Sequence, residues 1–170
     1  MLALTHEQST DFRDAVAAAR RDPALLAAIE SLYADVQAAI AARRPRCDAS
    51  GRCCRFEAYG HRLFVTVAEA AHFAAAHAAA NGRELDLSAW DGTGCPLQSA
   101  RLCEAHVYRP FGCRIFFCDP TADDWQHEQY ERFNTRLKAL HAAHGVPYFY
   151  VEWRAALRAI AANDCQTDSR

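Results

Sequence analysis

The sequence predicts a mainly α protein: a single helical domain, residues 1–170, holding two irregular cysteine-rich loops, with room for a minor pair of short strands. Three observations predict it. Apolar residues recur at helical spacing near both ends of the chain, cap signals bracket the alanine-rich stretches, and seven of the eight cysteines fall in two islands, 47–54 and 95–118. At 170 residues and 51% hydrophobic, the chain is long enough to build one core without a metal to complete it.

The elements follow in order. Thr5 and Gln8 have capping-box spacing, and Phe12, Val16 and Ala19 then mark one face of a first helix as far as Arg20. Asp22-Pro23 restarts the pattern as N-cap and first helical residue, and Leu25, Leu26, Ile29, Leu32, Tyr33, Val36 and Ile40 recur at helical intervals. Arg43 and Arg44 suit the negative end of that helix, and Pro45 stops it just before Cys47. Residues 61–65, after Gly60, read as a short extended piece. Thr66 and Glu69 form a second capping-box pair, opening a helix through Phe73 that closes at Asn81-Gly82. Residues 83–94 read as connecting loop. Asp119-Pro120-Thr121 caps a long polar helix carrying Trp125, Gln129, Phe133, Leu137 and Leu140, which ends at Gly145. Residues 147–151 read as extended, and 152–162 as a last helix with Trp153, Leu157 and Ile160 on one face.

A net charge of −2 gives no general attraction to nucleic acid or to anionic lipid, so neither is expected as a partner. No run of 18 apolar residues is present, and a membrane span is not expected. Thr5, His6, Glu7, Gln8, Asp11, Arg13 and Asp14 interrupt any secretory leader in the first twenty residues, which points to the cytoplasm. Disulfides are disfavoured there, so clustered cysteines point to metal ahead of redox switching or inert buried thiols.

The first island reads Cys47-Asp48-Ala49-Ser50-Gly51-Arg52-Cys53-Cys54. The second runs from Gly94-Cys95-Pro96-Leu97 through Cys103 and Arg109-Pro110-Phe111-Gly112-Cys113-Arg114 to Phe116-Phe117-Cys118. No Cys-x2-Cys pair occurs, which argues against a standard small zinc module but leaves a tetrahedral zinc built from distant loops open. An iron–sulfur cluster is larger and accepts ligands from spread-out loops, so the irregular gaps favour it. In an extended chain Cys53 and Cys54 would point to opposite sides, leaving one to pack or to serve a second metal. Seven thiols exceed one four-ligand site and fall one short of two; His106 and Cys165 are the candidates to complete a second, His106 weighed against a plain surface role. Four thiolates carry more charge than one metal neutralises, and Arg52, Arg55, Arg109 and Arg114 lie in the same islands as balancing cations. Phe111, Phe116 and Phe117 would exclude water.

Taken together, Cys47-x5-Cys53-Cys54, Gly94-Cys95-Pro96-Leu97 and Cys103-x5-Arg109-Pro110-x2-Cys113-Arg114-x-Phe116-x-Cys118 resemble the YkgJ-like cysteine-cluster family, described as a zinc- or iron-chelating domain. The resemblance spans residues 47–118, with helices 1–46 and 119–170 outside it, and implies metal binding without a defined biochemical role. Two positions depart from the family pattern: Ser50 stands where many members have a further cysteine, and His106 where many have tyrosine.

The expected centre is therefore metal on Cys47, Cys53, Cys54, Cys95, Cys103, Cys113 and Cys118, with Arg109 and Arg114 against the cofactor. A 4Fe–4S cluster with an electron-transfer or redox role and a protein or redox partner is preferred. The alternatives are a zinc-stabilised partner-binding protein and a cluster-dependent enzyme of undefined substrate. For an enzyme the chain offers no phosphate loop, dinucleotide fingerprint, His-Glu-x-x-His or Gly-x-Ser-x-Gly. Asp123-Asp124 reads as a helix start, and Trp125, Tyr148, Tyr150 and Trp153 as core or interface aromatics.

Overall fold

A computed structural model describes residues 3–161, and Cys165 lies outside them. The helices are α1 (His6–Ala19), α2 (Pro23–Arg43), α3 (Phe56–Tyr59), α4 (Val67–Asn81), α5 (Phe111–Ile115), α6 (Asp123–Ala143) and α7 (Trp153–Ile160). Strands β1 (Phe64–Thr66) and β4 (Tyr150–Glu152) pair antiparallel with Val65 opposite Val151; β2 (Gln98–Ser99) and β3 (Leu102–Cys103) form a hairpin with Gln98 opposite Cys103. Two 3₁₀ turns, Arg52–Cys54 and Pro120–Ala122, complete the described elements. The fold is mainly α, as the pattern predicts.

The caps behave as the chemistry dictates. Thr5 and Gln8 satisfy each other's backbone at the start of α1, and the Asp22 carboxylate accepts from the Ala24 and Leu25 amides at the start of α2. Arg44 takes a left-handed conformation at φ 55°, and the chain leaves α2 for the first island. Helix α2 has the length and apolarity of a membrane-crossing segment; here it turns Leu25, Ile29, Leu32, Tyr33 and Val36 into the core against α4, α5 and α6. Helix α1 packs on α4 and α7. One contiguous apolar core results, with Phe12, Leu32, Phe73, Phe133 and Trp153 among its largest members.

The first two turns of α4 are buried on every side, and its Glu69 is 2% exposed. That carboxylate accepts from the Thr66 amide (2.9 Å) and hydroxyl (3.0 Å) in a capping box, then reaches across to the Phe111 amide (3.0 Å) at the start of α5. One side chain therefore caps two helices. Burial pushes its pKa up to about 7 in spite of the three donors and the Arg114 charge.

The strands lie slightly later than the extended pieces expected at 61–65 and 147–151. Trp153 donates its amide to the Leu63 carbonyl (2.8 Å), carrying the β1–β4 pairing into the first turn of α7. The β2–β3 hairpin turns through Ala100 (φ 46°) and Arg101 (φ 69°), both in the left-handed region that glycine or asparagine usually occupies.

Because the folded state holds the Glu69 proton from the ordinary carboxylate value of 4.5 up to about 7 while the unfolded chain releases it, stability should fall as pH rises across that window. Replacing Glu69 with Gln should flatten that part of the profile. It should also cost about 1–3 kcal/mol, because an amide nitrogen would face a backbone donor. Urea unfolding of both proteins between pH 4 and 8 measures both effects.

Candidate metal centre

A backbone joint brings the islands together. The Cys95 amide donates to the Cys54 carbonyl (2.8 Å), and the Gln98 side chain donates to the Gly51 carbonyl (2.9 Å). Both glycines at the joint are required. Gly51 sits at φ 70°, and a Cβ there would lie 2.6 Å from the Arg101 carbonyl oxygen; Gly94 sits at φ 57°, with the Cys54 carbonyl oxygen 3.1 Å from where its Cβ would be. Glu57 on α3 accepts from the Gly94 amide (3.0 Å) and pairs with Arg154, which also holds Glu152 (2.9 Å). Helix α7 thus braces the joint from behind.

Four sulfurs meet there. Cys54, 7% exposed, lies beside the thiols of Cys103, Cys53 and Cys95, and hydrogen bonding with these neighbours pushes its pKa well above the usual range. The three partners shift the other way. The Cys54 hydrogen bond lowers Cys53 to about 6 and Cys103 to about 7, with the Arg109 guanidinium helping in both, and lowers Cys95, aided by the Leu97 amide and the Trp153 side chain. The thiols titrate as an interacting group rather than one by one. Cys113 adjoins the group: burial pushes its thiol up, and the Cys95 and Cys103 charges add to that.

The expectation that Cys53 and Cys54 diverge is corrected by the 3₁₀ turn at Arg52–Cys54. Three residues per turn place neighbouring side chains about 120° apart rather than on opposite faces, and both sulfurs join one cluster. Cys47 and Cys118 are exposed and lie at a separate joint, where the Arg46 amide donates to Asp119 (2.9 Å) and the Phe117 amide donates to Gln126 on α6. Cys118 nevertheless shares a cavity wall with Cys53 and Cys113. Among the described residues, no three Cys, His, Asp or Glu side chains are preset to hold a single ion; the sulfurs meet as hydrogen-bonded thiols.

The arginines divide. Arg109 acts electrostatically on Cys53, Cys103 and Cys113, and its buried Nε has no hydrogen-bond partner. Arg114 donates to the Arg109 carbonyl (2.8 Å) and the Val107 carbonyl (2.7 Å) while its guanidinium lies 4.2 Å above the Tyr33 ring, so it clamps the loop that carries Arg109 onto α2. His106 is exposed, its amide bonded to the Cys103 carbonyl. Two contributors carry no local sequence signal: the His61 Nε2 meets the Cys53 carbonyl at 3.1 Å, and the buried Trp153 touches the Cys95 sulfur.

Two openings reach the cluster. A polar cleft of about 700 Å³ includes Cys95 in its wall with Arg55, Arg83, Asp86 and Trp90. A cavity of about 340 Å³ includes Cys53, Cys113 and Cys118. Comparison with family models, with curated proteins and with solved structures finds no match for this chain.

In metal-free, reduced protein at pH 7, iodoacetamide should label Cys53, exposed and held as a thiolate, well before Cys54 and Cys113. Peptide mass spectrometry over a time course reads the order directly.

Proposed function

We propose that the chain binds an inorganic centre on thiolates from both islands, and that this centre is an iron–sulfur cluster serving electron transfer or another redox role in the cytoplasm. The observation that carries the reading is the backbone joint from the Cys95 amide to the Cys54 carbonyl (2.8 Å), which sets Cys53, Cys54, Cys95 and Cys103, drawn from three separate segments, beside one another. Cys53, Cys95 and Cys103 are shifted toward the charged form that a metal requires. The unpartnered Nε of Arg109 fits an anionic thiolate centre, which needs donors around it. The surplus of Cys113, Cys47 and Cys118 beyond four favours the cluster, whose ligands can come from spread-out loops. The likeness to the YkgJ-like family points the same way.

Zinc is the second reading, because the four inner sulfurs match the number that a tetrahedral structural site takes. A cluster-dependent enzyme is the third, and the two openings beside the sulfurs are what favour it.

Protein isolated without oxygen is expected to be brown and to contain iron and acid-labile sulfide. A colourless preparation holding zinc alone, with no cluster after anaerobic reconstitution, would favour the zinc reading. Neither metal after reconstitution would sink both. Replacing Cys54, Cys95 or Cys103 with Ser should abolish stoichiometric loading. Trp153→Phe, which removes the donor beside Cys95 and keeps an aromatic ring in the core, should weaken metal affinity about tenfold or more. Metal analysis of each variant, with circular dichroism to confirm the helices, decides the point.

A further inference from the structure

The cavity of about 340 Å³ beside Cys53, Cys113 and Cys118 falls within the size range of small-ligand pockets, and its wall is chiefly apolar. Its inner side is formed by Leu63 and Gly112, both buried, and by Cys113. Gly112 packs too closely on Leu63 for any side chain, since a Cβ there would lie 2.3 Å from Leu63 Cδ1. The outer side carries two large exposed aromatics, Tyr59 at 48% and Phe116 at 55%, on a surface that otherwise exposes few of them.

Charge at the mouth has one sign. Arg52 and Arg62 are both exposed and line the opening, His61 lies between them in the wall, and no carboxylate lines the cavity. Neither arginine has an ion-pair partner among the described residues, in contrast to Arg20, Arg46, Arg136 and Arg154, each of which is paired with Asp or Glu. Arg52 is held in place by the Tyr59 ring, 5.4 Å from its centroid. The acidic residues of these segments are engaged elsewhere: Asp48 with Arg46, Glu57 with the Gly94 amide and Arg154, and Asp119 with the Arg46 amide and Thr121.

An apolar interior, an aromatic rim and two unpaired guanidinium groups at the entrance fit a molecule with an apolar body and one anionic end. The geometry points to a binding site for a small aliphatic or aromatic carboxylate, its chain inserted toward Leu63 and Cys113 and its carboxylate held by Arg52 and Arg62. This site goes beyond the metal reading, and because Cys53, Cys113 and Cys118 in its wall belong to the candidate metal set, metal content is measured alongside binding.

The test is calorimetric titration of the isolated protein, its metal content measured in parallel, with octanoate, octan-1-ol and octylamine at pH 7. Octanoate should saturate at one site per chain, and octan-1-ol should bind about tenfold more weakly, having lost the charge-assisted contacts. Octylammonium should not bind. In the double variant R52E/R62E, which alters only exposed side chains, octanoate should fall by about tenfold or more while octan-1-ol is unchanged. Phe116→Ala, also at an exposed position, should weaken octanoate and octan-1-ol alike. The proposal is overturned if octanoate shows no saturable binding, if octylammonium binds as well as octanoate, or if octanoate is indifferent to R52E/R62E. Metal analysis of the same samples reports on the sulfur centre separately, so failure of one reading leaves the other measurable.

Discussion

The hydrogen bond from the Cys95 amide to the Cys54 carbonyl is the constraint on which the candidate centre depends. It joins two points separated by α3, β1, α4 and a long loop, and closing a loop of that length has an entropic cost that a single hydrogen bond does not offset. The offset comes from what surrounds it: the Gln98 bond to Gly51, the Glu57 bond to Gly94, and Arg154 on α7 behind Glu57. Gly51 and Gly94 are needed because the chains approach too closely for a Cβ. The irregular island loops are thus held by backbone contacts before any sulfur is considered.

Glu69 plays the same part for the rest of the second island. A buried carboxylate is expensive, and this one is retained where it answers three donors at once, including the otherwise orphaned amide that opens α5. Its reach to Phe111 fixes the start of the short helix that carries Cys113 and Arg114, and Arg114 in turn holds the Val107 and Arg109 carbonyls. The Arg109 charge reaches the sulfurs through a relay that begins at the capping box of α4. Local helix chemistry and the electrostatics of the cysteine group are therefore one problem in this fold.

The helical frame was legible because caps are local: Thr5 with Gln8, Asp22 before Pro23, Thr66 with Glu69 and Gly82 after Asn81 each act within a few residues of themselves. The β2–β3 hairpin was not, since Ala100 and Arg101 occupy left-handed positions without the glycine or asparagine that signals such a turn. The reach of Glu69 to Phe111, the Trp153 contact with Cys95 and the His61 contact with Cys53 all depend on tertiary packing and leave no spacing to read. The site was half legible. Clustering pointed to the two loops that meet, but the division into an inner group around Cys54 and the exposed Cys47 and Cys118 follows from a 3₁₀ turn and a hydrogen bond to Asp119.

The inner sulfurs lie between the polar cleft beside Cys95 and the apolar cavity beside Cys113, each within reach of water or a ligand from one side only. Complete burial would raise the cost of every thiolate, while full exposure would let solvent screen the Arg109 charge. The same contact acts in opposite directions on the pair: hydrogen bonding among the thiols raises Cys54 and lowers Cys53. The arrangement is therefore one of thiols set side by side and partly ionised, with no group of them among the described residues preset around a single ion.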